Sequence, residues 1–243
     1  MKPTTTLAEA RTPDGSRLAL RHHDGHYGVF VDGDLLMSTR AWFSEAEMAE
    51  LGCAGSRAGA PRRVLIGGLG FGFTLRRVLE LVGPDAVVEV AELLPVMVEW
   101  NREHLSGVNG RLLDDPRVVV TLGDVYALLG KAPPGHYDVV LLDVDNGPVA
   151  MVDAGNKRIY SDEGLRVLSR ALSASGRAVF WSGSTDREFM RRLIHAGFRA
   201  RSIPAKAYPK AVRETHTLFV ADRGDGAPSS APAGAPEGPA SRP

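Results

Sequence analysis

A cluster of glycines stands where a predicted strand gives way to a predicted helix. The segment 67–72 reads GGLGFG, so Gly67, Gly68, Gly70 and Gly72 occupy four of its six positions. Glycine permits a tight turn and a close approach of the backbone to a ligand, and the start of the following helix favours polar or anionic groups. A glycine loop alone is a weak signal, because a plain strand-to-helix turn uses the same residues.

An acidic residue ends the next predicted strand, at 86–91. Glu92 follows Gly68 by 24 residues, and a carboxylate in that place can accept hydrogen bonds from two ribose hydroxyls. The alternative is an ordinary solvated carboxylate at the end of a strand. Glu89, in the middle of the strand, is the weaker candidate for the same role.

A third strand, at 118–120, is followed by Gly123, Asp124 and Val125. An Asp at this strand end can accept a hydrogen bond from the exocyclic amine of an adenine. It can also cap the short helix predicted near 126–129. The two roles are compatible, so neither excludes the other.

The fourth strand ends in a run of polar residues, DVDNGP at 143–148. Its Asn-Gly-Pro portion forms a turn on its own account, but a turn does not explain Asp143, which follows four apolar residues. Ligands of open α/β sheets bind at the carboxyl ends of central strands. We therefore expect Asp143, Asp145 and Asn146 to crowd one edge of a binding site.

The elements that position these residues alternate between strand and helix from residue 61 onward. Such alternation predicts a mostly parallel sheet that helices cover on both faces. The predicted strands lie at 64–66, 86–91, 118–120, 138–143, 177–181 and 215–220, and the longer helices at 74–82, 96–104, 162–171 and 186–196.

The first 60 residues are organised differently. Strand-like segments at 17–21 and 27–31 lead to the turn signal Asp32-Gly33 and a returning strand. A helix capped by Ser44 and a small-residue linker at 52–59 should follow. We expect three parts: an N-terminal β-hairpin and helix element (1–60), a nucleotide-binding α/β domain (61–221) and a disordered Pro/Ala/Gly tail (222–243).

Composition excludes several classes of function. The chain has 29 Lys and Arg against 29 Asp and Glu, which argues against nucleic-acid binding by bulk electrostatics. Its single cysteine, Cys53, excludes a disulfide framework and a multi-cysteine metal site. No apolar run is long enough to cross a bilayer. We expect a cytoplasmic protein with no metal, no membrane association and no nucleic-acid partner.

Taken together, the four strand ends favour one kind of ligand. A dinucleotide-binding domain would share the glycine loop and Glu92, but the acids after strands three and four indicate an adenosyl sulfonium, which needs acceptors rather than a phosphate cradle. An NAD-dependent dehydrogenase is disfavoured, because the loop lacks the usual Gly-x-Gly-x-x-Gly spacing counted from Gly68.

Over 18–221 the chain resembles the spermidine synthase family, the polyamine aminopropyltransferases, within the class I AdoMet-dependent methyltransferase fold. The resemblance implies a doubly wound, mostly parallel seven-stranded Rossmann-like sheet, preceded by a small N-terminal β-hairpin. It implies transfer of an aminopropyl group from decarboxylated AdoMet to a polyamine-like amine. The resemblance rests on the segments 31–33, 44–48, 67–72, 90–95, 123–124, 137–143 and 159–161.

The resemblance also assigns roles to single residues. It implies that Asp143 is catalytic, with Asp145 as a substitute for a second acid, and that Asn146 and Tyr160 contact the substrate. The co-substrate, AdoMet or its decarboxylated form, is expected to bind at Gly67, Gly68, Gly70, Gly72, Glu92, Asp124, Val125 and Asp143.

Two positions depart from the family pattern. Family members carry an Asp inside the glycine loop, where this chain has Gly70, and a second Asp after strand four, where it has Asn146. The loss of the first acid would reduce discrimination against AdoMet, which carries an extra carboxylate. A methyltransferase acting on a small-molecule acceptor and a non-catalytic nucleotide-binding protein therefore stay open as alternatives. The N-terminal hairpin is the expected homodimer element, or else a lid over the site of a monomer.

Overall fold

The alternation of strands and helices builds a seven-stranded sheet with a separate small sheet before it. The computed structural model describes residues 3–12, 14–53, 63–143 and 158–224 of the chain. The small sheet is antiparallel and consists of β1 (Thr5–Arg11), β2 (Arg17–His23), β3 (His26–Val31) and β4 (Asp34–Ser38) in that order. Asp32 and Gly33, both with positive φ, form the predicted turn between β3 and β4.

The helix α1 (Phe43–Cys53) leads into the larger sheet. The elements of the α/β part are β5 (Arg63–Gly67), α2 (Phe73–Leu81), β6 (Val87–Glu92), α3 (Pro95–Glu103), α4 (Ser106–Asn109), β7 (Val118–Leu122), α5 (Val125–Lys131), β8 (Tyr137–Leu142), α6 (Asp162–Ala171), β9 (Leu172–Ser182), α7 (Arg187–His195), β10 (Phe198–Ala205) and β11 (His216–Arg223).

The strands of the large sheet follow the order β10-β11-β9-β8-β5-β6-β7. The five strands from β9 to β7 pair in parallel, whereas β11 runs antiparallel to both of its neighbours. Successive side chains of β5 point to opposite faces, with Val64 and Ile66 packed on the side of α1 and α2, and Leu65 on the side of α5 and α6. The doubly wound, mostly parallel seven-stranded sheet is confirmed.

The small sheet packs over the end of the large one that carries the glycine loop. Leu18 and Leu20 of β2 and Val29 of β3 share a buried cluster with Phe71 of the loop and Trp100 of α3. This packing brings the N-terminal sheet against the carboxyl ends of the parallel strands. None of the helices in the described ranges is long and apolar enough to span a membrane.

Several sequence-based predictions of local structure were wrong. Two strands, β1 and β10, were not predicted, because their alternation is interrupted by polar residues on both faces. Ser44 lies inside α1 instead of capping it, and its hydroxyl accepts a hydrogen bond from Trp181. Gly52, assigned to a linker, belongs to α1, where an added Cβ would lie 2.5 Å from Leu141 of β8. At the other end, β11 runs two residues past the predicted boundary at Ala221.

Candidate functional site

The carboxyl ends of four neighbouring strands lie level with one another. Gly67 of β5 is in register with Leu142 of β8 and with Ala91 of β6, and Glu92 of β6 is in register with Leu122 of β7. Backbone hydrogen bonds continue this register beyond the strands: the amide of Gly68 donates to Ala91 over 2.9 Å and that of Asp143 donates to Gly67 over 3.0 Å. The sheet thus brings the four predicted strand-end motifs to one edge.

Glu92 is held by the backbone on both of its carboxylate oxygens. Oε2 accepts the amide N–H of Leu69 at 2.8 Å, and Oε1 accepts that of Leu94 at 2.8 Å. Burial raises the pKa of Glu92, and these hydrogen bonds oppose the shift. A carboxylate has about four acceptor positions, so Glu92 can still accept from two ligand hydroxyls. Glu89, in contrast, accepts hydrogen bonds from Thr121 and Tyr137.

Asp124 caps the helix that follows the third parallel strand. Its carboxylate accepts the amide N–H of Tyr126 at 2.8 Å, as the capping interpretation predicted. Val125, the first residue of α5, is buried beside it. Since a capping carboxylate keeps a free oxygen, the second interpretation, an acceptor for an adenine amine, is compatible with this geometry.

The predicted glycines divide into those that face the cavity described below and those that do not. Gly68 and Gly70 line it, whereas Gly67 ends β5 and Gly72 precedes α2 as its left-handed N-cap. A Cβ added at Gly70 would meet only the sulfur of Met37, at 3.7 Å, within 4 Å. The space beside Gly70 is therefore open.

A cavity of about 300 Å³ lies over these strand ends, the lower end of the range for small-molecule sites. Among the described residues that line it, four are acidic and none is Lys or Arg. The acids are Glu45, Glu92, Asp124 and Asp143. Because the chain as a whole has no net charge, this concentration of acidic side chains is local to the cavity.

Glu45 is a site residue that sequence reasoning missed. It lies in the first turn of α1, yet it lines the same cavity as Asp143. Burial, and secondarily the charge of Asp143, raises the pKa of Glu45 well above its usual value. An acid near a helix start is so common that no sequence signal distinguishes Glu45; only the packing of α1 on the sheet does.

Trp181 and His216 complete the cavity on the far side of Asp143. Trp181 of β9 and His216 of β11 stack with ring centroids 4.7 Å apart. Trp181 donates its indole N–H to the hydroxyl of Ser44 over 3.1 Å, which fixes the ring. Burial lowers the pKa of His216, so its imidazole is neutral at neutral pH.

Three further residues were predicted to act on the substrate: Asp145, Asn146 and Tyr160. Asp145 and Asn146 lie outside the described residues, so their roles stay predictions. Tyr160 is described; its ring packs against Phe180 and Phe189, with centroids 5.9 and 5.2 Å away. It does not line the cavity in the described part of the chain, and its substrate contact also stays a prediction.

No three His, Cys, Asp or Glu side chains converge as metal ligands within the described ranges. The acids of the cavity instead come from separate elements: Glu45 from α1, Glu92 from β6, and Asp124 and Asp143 from the residues that follow β7 and β8. They are spread along the sheet edge, an arrangement suited to an extended polar ligand.

Comparison with known proteins identifies relatives over most of the α/β part. Residues 45–195 match the family model described as the spermine/spermidine synthase domain. A polyamine aminopropyltransferase of Mycobacterium tuberculosis is 32% identical over 158 residues, which are 64% of this chain and 29% of that protein. A polyamine aminopropyltransferase of Synechococcus is 30% identical over 192 residues, 75% of this chain and 58% of that protein.

A solved structure shares the fold. A spermidine synthase in complex with the transition-state analogue AdoDATO superposes with a TM-score of 0.72 at 18% identity, covering 90% of this chain and 74% of that one. The chain spans less than two thirds of the length of the two sequence relatives named above. The family match covers more than half of the chain, and the chain therefore belongs to the spermine/spermidine synthase family.

Proposed function

We propose that this protein transfers an aminopropyl group from decarboxylated AdoMet to an aliphatic amine. The observation that carries the proposal is the charge of the cavity: four carboxylates, and no Lys or Arg among the described lining residues. Both reactants are cations, since the donor is a sulfonium and an amine has an unperturbed pKa of about 10, as in Lys. The names of the relatives, polyamine aminopropyltransferases, support the same reaction.

The donor is assigned to the side of the cavity formed by β5, β6 and β7, which we call the donor side. There Glu92 would accept hydrogen bonds from the ribose hydroxyls and Asp124 from the adenine amine. Gly68 and Gly70 would let the nucleoside and its side chain lie close to the backbone. Val125 would contribute apolar contact to the base.

The acceptor is assigned to the side formed by α1, β9 and β11, which we call the acceptor side. Adjacent strands lie about 4.8 Å apart, and β9 is three strands away from β6. Trp181 is therefore separated from Glu92 by about 14 Å along the sheet edge. Asp143, at the end of the intervening β8, lies between the two sides, where the reacting groups would meet.

The transfer is a direct displacement at carbon. The nitrogen lone pair of the amine forms a C–N bond with the aminopropyl carbon next to sulfur, while the C–S bond breaks and methylthioadenosine leaves. The amine must lose a proton to supply that lone pair. We assign to Asp143 the role of accepting this proton and passing it to solvent, with Asp145 as the second candidate from the sequence.

Methyl transfer from AdoMet is the second candidate function, and Gly70 favours it. Decarboxylated AdoMet lacks the carboxylate of AdoMet. An acid at position 70 would repel that carboxylate, whereas the glycine leaves open space there. On this ground we infer weaker discrimination against AdoMet than family members with an Asp at this position achieve.

The test is to supply each donor with a panel of amines and to identify the products by mass spectrometry. The proposal predicts methylthioadenosine and a lengthened amine from decarboxylated AdoMet. S-adenosylhomocysteine with a methylated amine from AdoMet would establish methyl transfer instead. Binding of either donor without turnover of any amine would point to the third alternative, a nucleotide-binding protein without catalysis.

A further inference from the structure

A second cavity, of about 330 Å³, lies between α3 and the residues that follow it, and its size suits a small metabolite. Its described lining falls within 101–114 and shares no residue with the described lining of the cavity over the strand ends. The proposed transfer makes no use of this second cavity.

The charges of the second cavity favour an anion. Two arginines line it, Arg102 near the end of α3 and Arg111 after α4, together with Ser106. Asp114 is the one acid in the described lining, and its carboxylate is already paired with Nε of Arg111 over 2.5 Å. Arg102 has no carboxylate partner in the described part of the chain. One positive charge of the lining is therefore left without a counterion.

A phosphate group matches these side chains. The planar guanidinium can donate two parallel N–H groups to phosphate oxygens. Arg111 uses Nε for Asp114, which leaves four of its five N–H donors. The neighbouring wall contains Leu112 and Leu113, so a small organic group attached to the phosphate would find apolar contact there.

The glycine loop connects the two cavities. Gly70 lines the first cavity, and its carbonyl accepts a hydrogen bond over 2.9 Å from the side-chain amide of Asn101, which lines the second. The next carbonyl, that of Phe71, accepts over 2.5 Å from the side chain of Asn109, also in the lining of the second cavity. Two backbone groups of the loop are thus held by the wall of the second cavity.

The contacts to the loop and the arginines are divided between the same two segments. Asn101 and Arg102 belong to α3, whereas Asn109 ends α4 and Arg111 follows it. A phosphate that bridges the two arginines would hold these segments together, and with them both contacts to the glycine loop.

We propose that the second cavity is an effector site, which binds a phosphate-bearing small molecule between Arg102 and Arg111 and thereby tightens binding of the donor beyond the glycine loop. The inference rests on the proposed function for the place of the donor. Phosphate binding itself can be tested without donor and without turnover.

The first experiment measures binding by calorimetry at constant ionic strength. The probes are ribose 5-phosphate and inorganic phosphate, and ribose is the uncharged control. The wild type should bind ribose 5-phosphate saturably and ribose not at all. Arg102→Gln and Arg111→Gln should each weaken binding by about tenfold or more, as expected for the loss of a charged hydrogen bond. Saturable binding of inorganic phosphate alone would support the site and identify free phosphate as its ligand.

An arginine elsewhere on the surface provides a matched control. Arg166 of α6 is exposed, is paired with Glu163 over 2.6 Å and does not line the second cavity. Arg166→Gln removes the same charge as the two test substitutions and should leave the affinity for the probe unchanged.

The second experiment measures the coupling between the two cavities. The dissociation constant of methylthioadenosine is determined with and without saturating phosphate probe, and should fall about fivefold or more when the probe is bound. Methylthioadenosine should strengthen binding of the probe by the same factor. Asn101→Ala should keep the affinity for the probe within about threefold of the wild type and lose most of the coupling, because one contact to the loop is gone.

Several outcomes would overturn the inference. They are the absence of saturable binding of either phosphate probe, an equal loss of binding in Arg166→Gln, displacement of the probe by methylthioadenosine, and an unchanged dissociation constant of methylthioadenosine with the probe bound. If no donor and amine pair turns over, but the probe still tightens binding of methylthioadenosine, the proposed function fails and the effector site stands.

A further variant protects the test against a folding defect in Arg102→Gln. Arg102→Lys keeps the charge but lacks the planar group that binds two phosphate oxygens. Its affinity for the probe should be below that of the wild type. An Arg102→Lys protein that melts like the wild type and binds the probe equally well would contradict the contact assigned to Arg102.

Discussion

The α-carbon of Gly68 lies against the backbone carbonyl of Asp143: a Cβ added at Gly68 would stand 2.4 Å from that oxygen. The glycine loop and the residue proposed to accept the proton are therefore in direct backbone contact, and the contact requires a residue without a side chain. The hydrogen bond from the Asp143 amide to Gly67 fixes the same junction. Gly68 also has a φ of 91°, a conformation that disfavours other residues.

Gly68→Ala should consequently destabilise the protein by about 3 kcal/mol or more, measured by urea unfolding, because the backbone of β8 cannot yield cheaply. Gly70→Ala is the matched control: its φ of 51° is also positive, but the space beside it is open. It should lose only about 1–2 kcal/mol from backbone strain. Equal losses of unfolding free energy in the two variants would show that the close contact with Asp143 does not contribute to the effect of Gly68→Ala.

Gly70→Asp should restore discrimination between the donors. Asp tolerates a left-handed backbone better than most residues, and its Cβ would meet only Met37 in ordinary contact. We expect weaker binding of AdoMet by about tenfold relative to decarboxylated AdoMet, measured by calorimetry. Gly70→Asn has the same shape without the charge and should leave the ratio of the two dissociation constants at its wild-type value. An equal change of this ratio in both variants would show that the charge of the Asp does not cause the discrimination.

Glu92→Gln should weaken binding of methylthioadenosine by at least about tenfold and lower stability by about 1–3 kcal/mol. In Glu92 one carboxylate oxygen accepts the N–H of Leu69 and the other that of Leu94. Gln has a single acceptor oxygen, so one of the two N–H groups would face the amide nitrogen and lose its hydrogen bond. Glu89→Gln is the control, since Glu89 is bound by Thr121 and Tyr137 instead. Nucleoside binding that falls equally in both variants would contradict the assignment of Glu92.

The pH dependence of stability should report the environment of Glu45. Its pKa is raised in the folded protein, so the protonated form is favoured by folding. The stability that the protonated Glu45 contributes is complete below the unfolded pKa of about 4.3. It is lost as the pH rises through the raised pKa of the folded protein. Glu45→Gln should therefore raise Tm at pH 7.5 by about 2–4 °C, the effect of 1 kcal/mol in a chain of this size. At pH 4 the wild type and the variant should have the same Tm. An increase in Tm of the same size at both pH values would show that the pKa of Glu45 is not raised.

The donor side of the site could be predicted from the sequence because its residues follow strands that pair in register. Gly68, Glu92, Asp124 and Asp143 each lie at the carboxyl end of a parallel strand or within two residues of it, and parallel strands necessarily present their carboxyl ends at one edge. The local sequence pattern of strands and the polar residues that end them was therefore sufficient to place these residues together.

The acceptor side could not be predicted in the same way. Glu45 reaches the cavity only because α1 packs closely on β8 through Gly52, and His216 reaches it only because β11 runs antiparallel to its neighbours. Both depend on contacts between distant segments, which leave no local sequence signal. The strands β1 and β10 were missed for a similar reason, since their partners in the sheets, not their own alternation, define them.

Asp143→Asn should reduce kcat by about a hundredfold or more, the usual contribution of a general base. Binding of the donor should stay within about threefold of the wild type, since the donor side is assigned to Glu92 and Asp124. Single-turnover kinetics and calorimetry measure the two quantities separately. Unchanged kcat in Asp143→Asn would transfer the role of base to another group, with Asp145 as the next candidate.

A double-labelled donor distinguishes aminopropyl transfer from methyl transfer in a single reaction. Decarboxylated AdoMet is prepared with heavy carbon in its S-methyl group and deuterium in its aminopropyl chain, and is allowed to react once with 1,4-diaminobutane. If the protein transfers the aminopropyl group, deuterium moves to the amine while the heavy carbon stays in methylthioadenosine, in equal molar amounts. Heavy carbon on the amine with deuterium left on the nucleoside would show methyl transfer and overturn the proposed aminopropyl transfer.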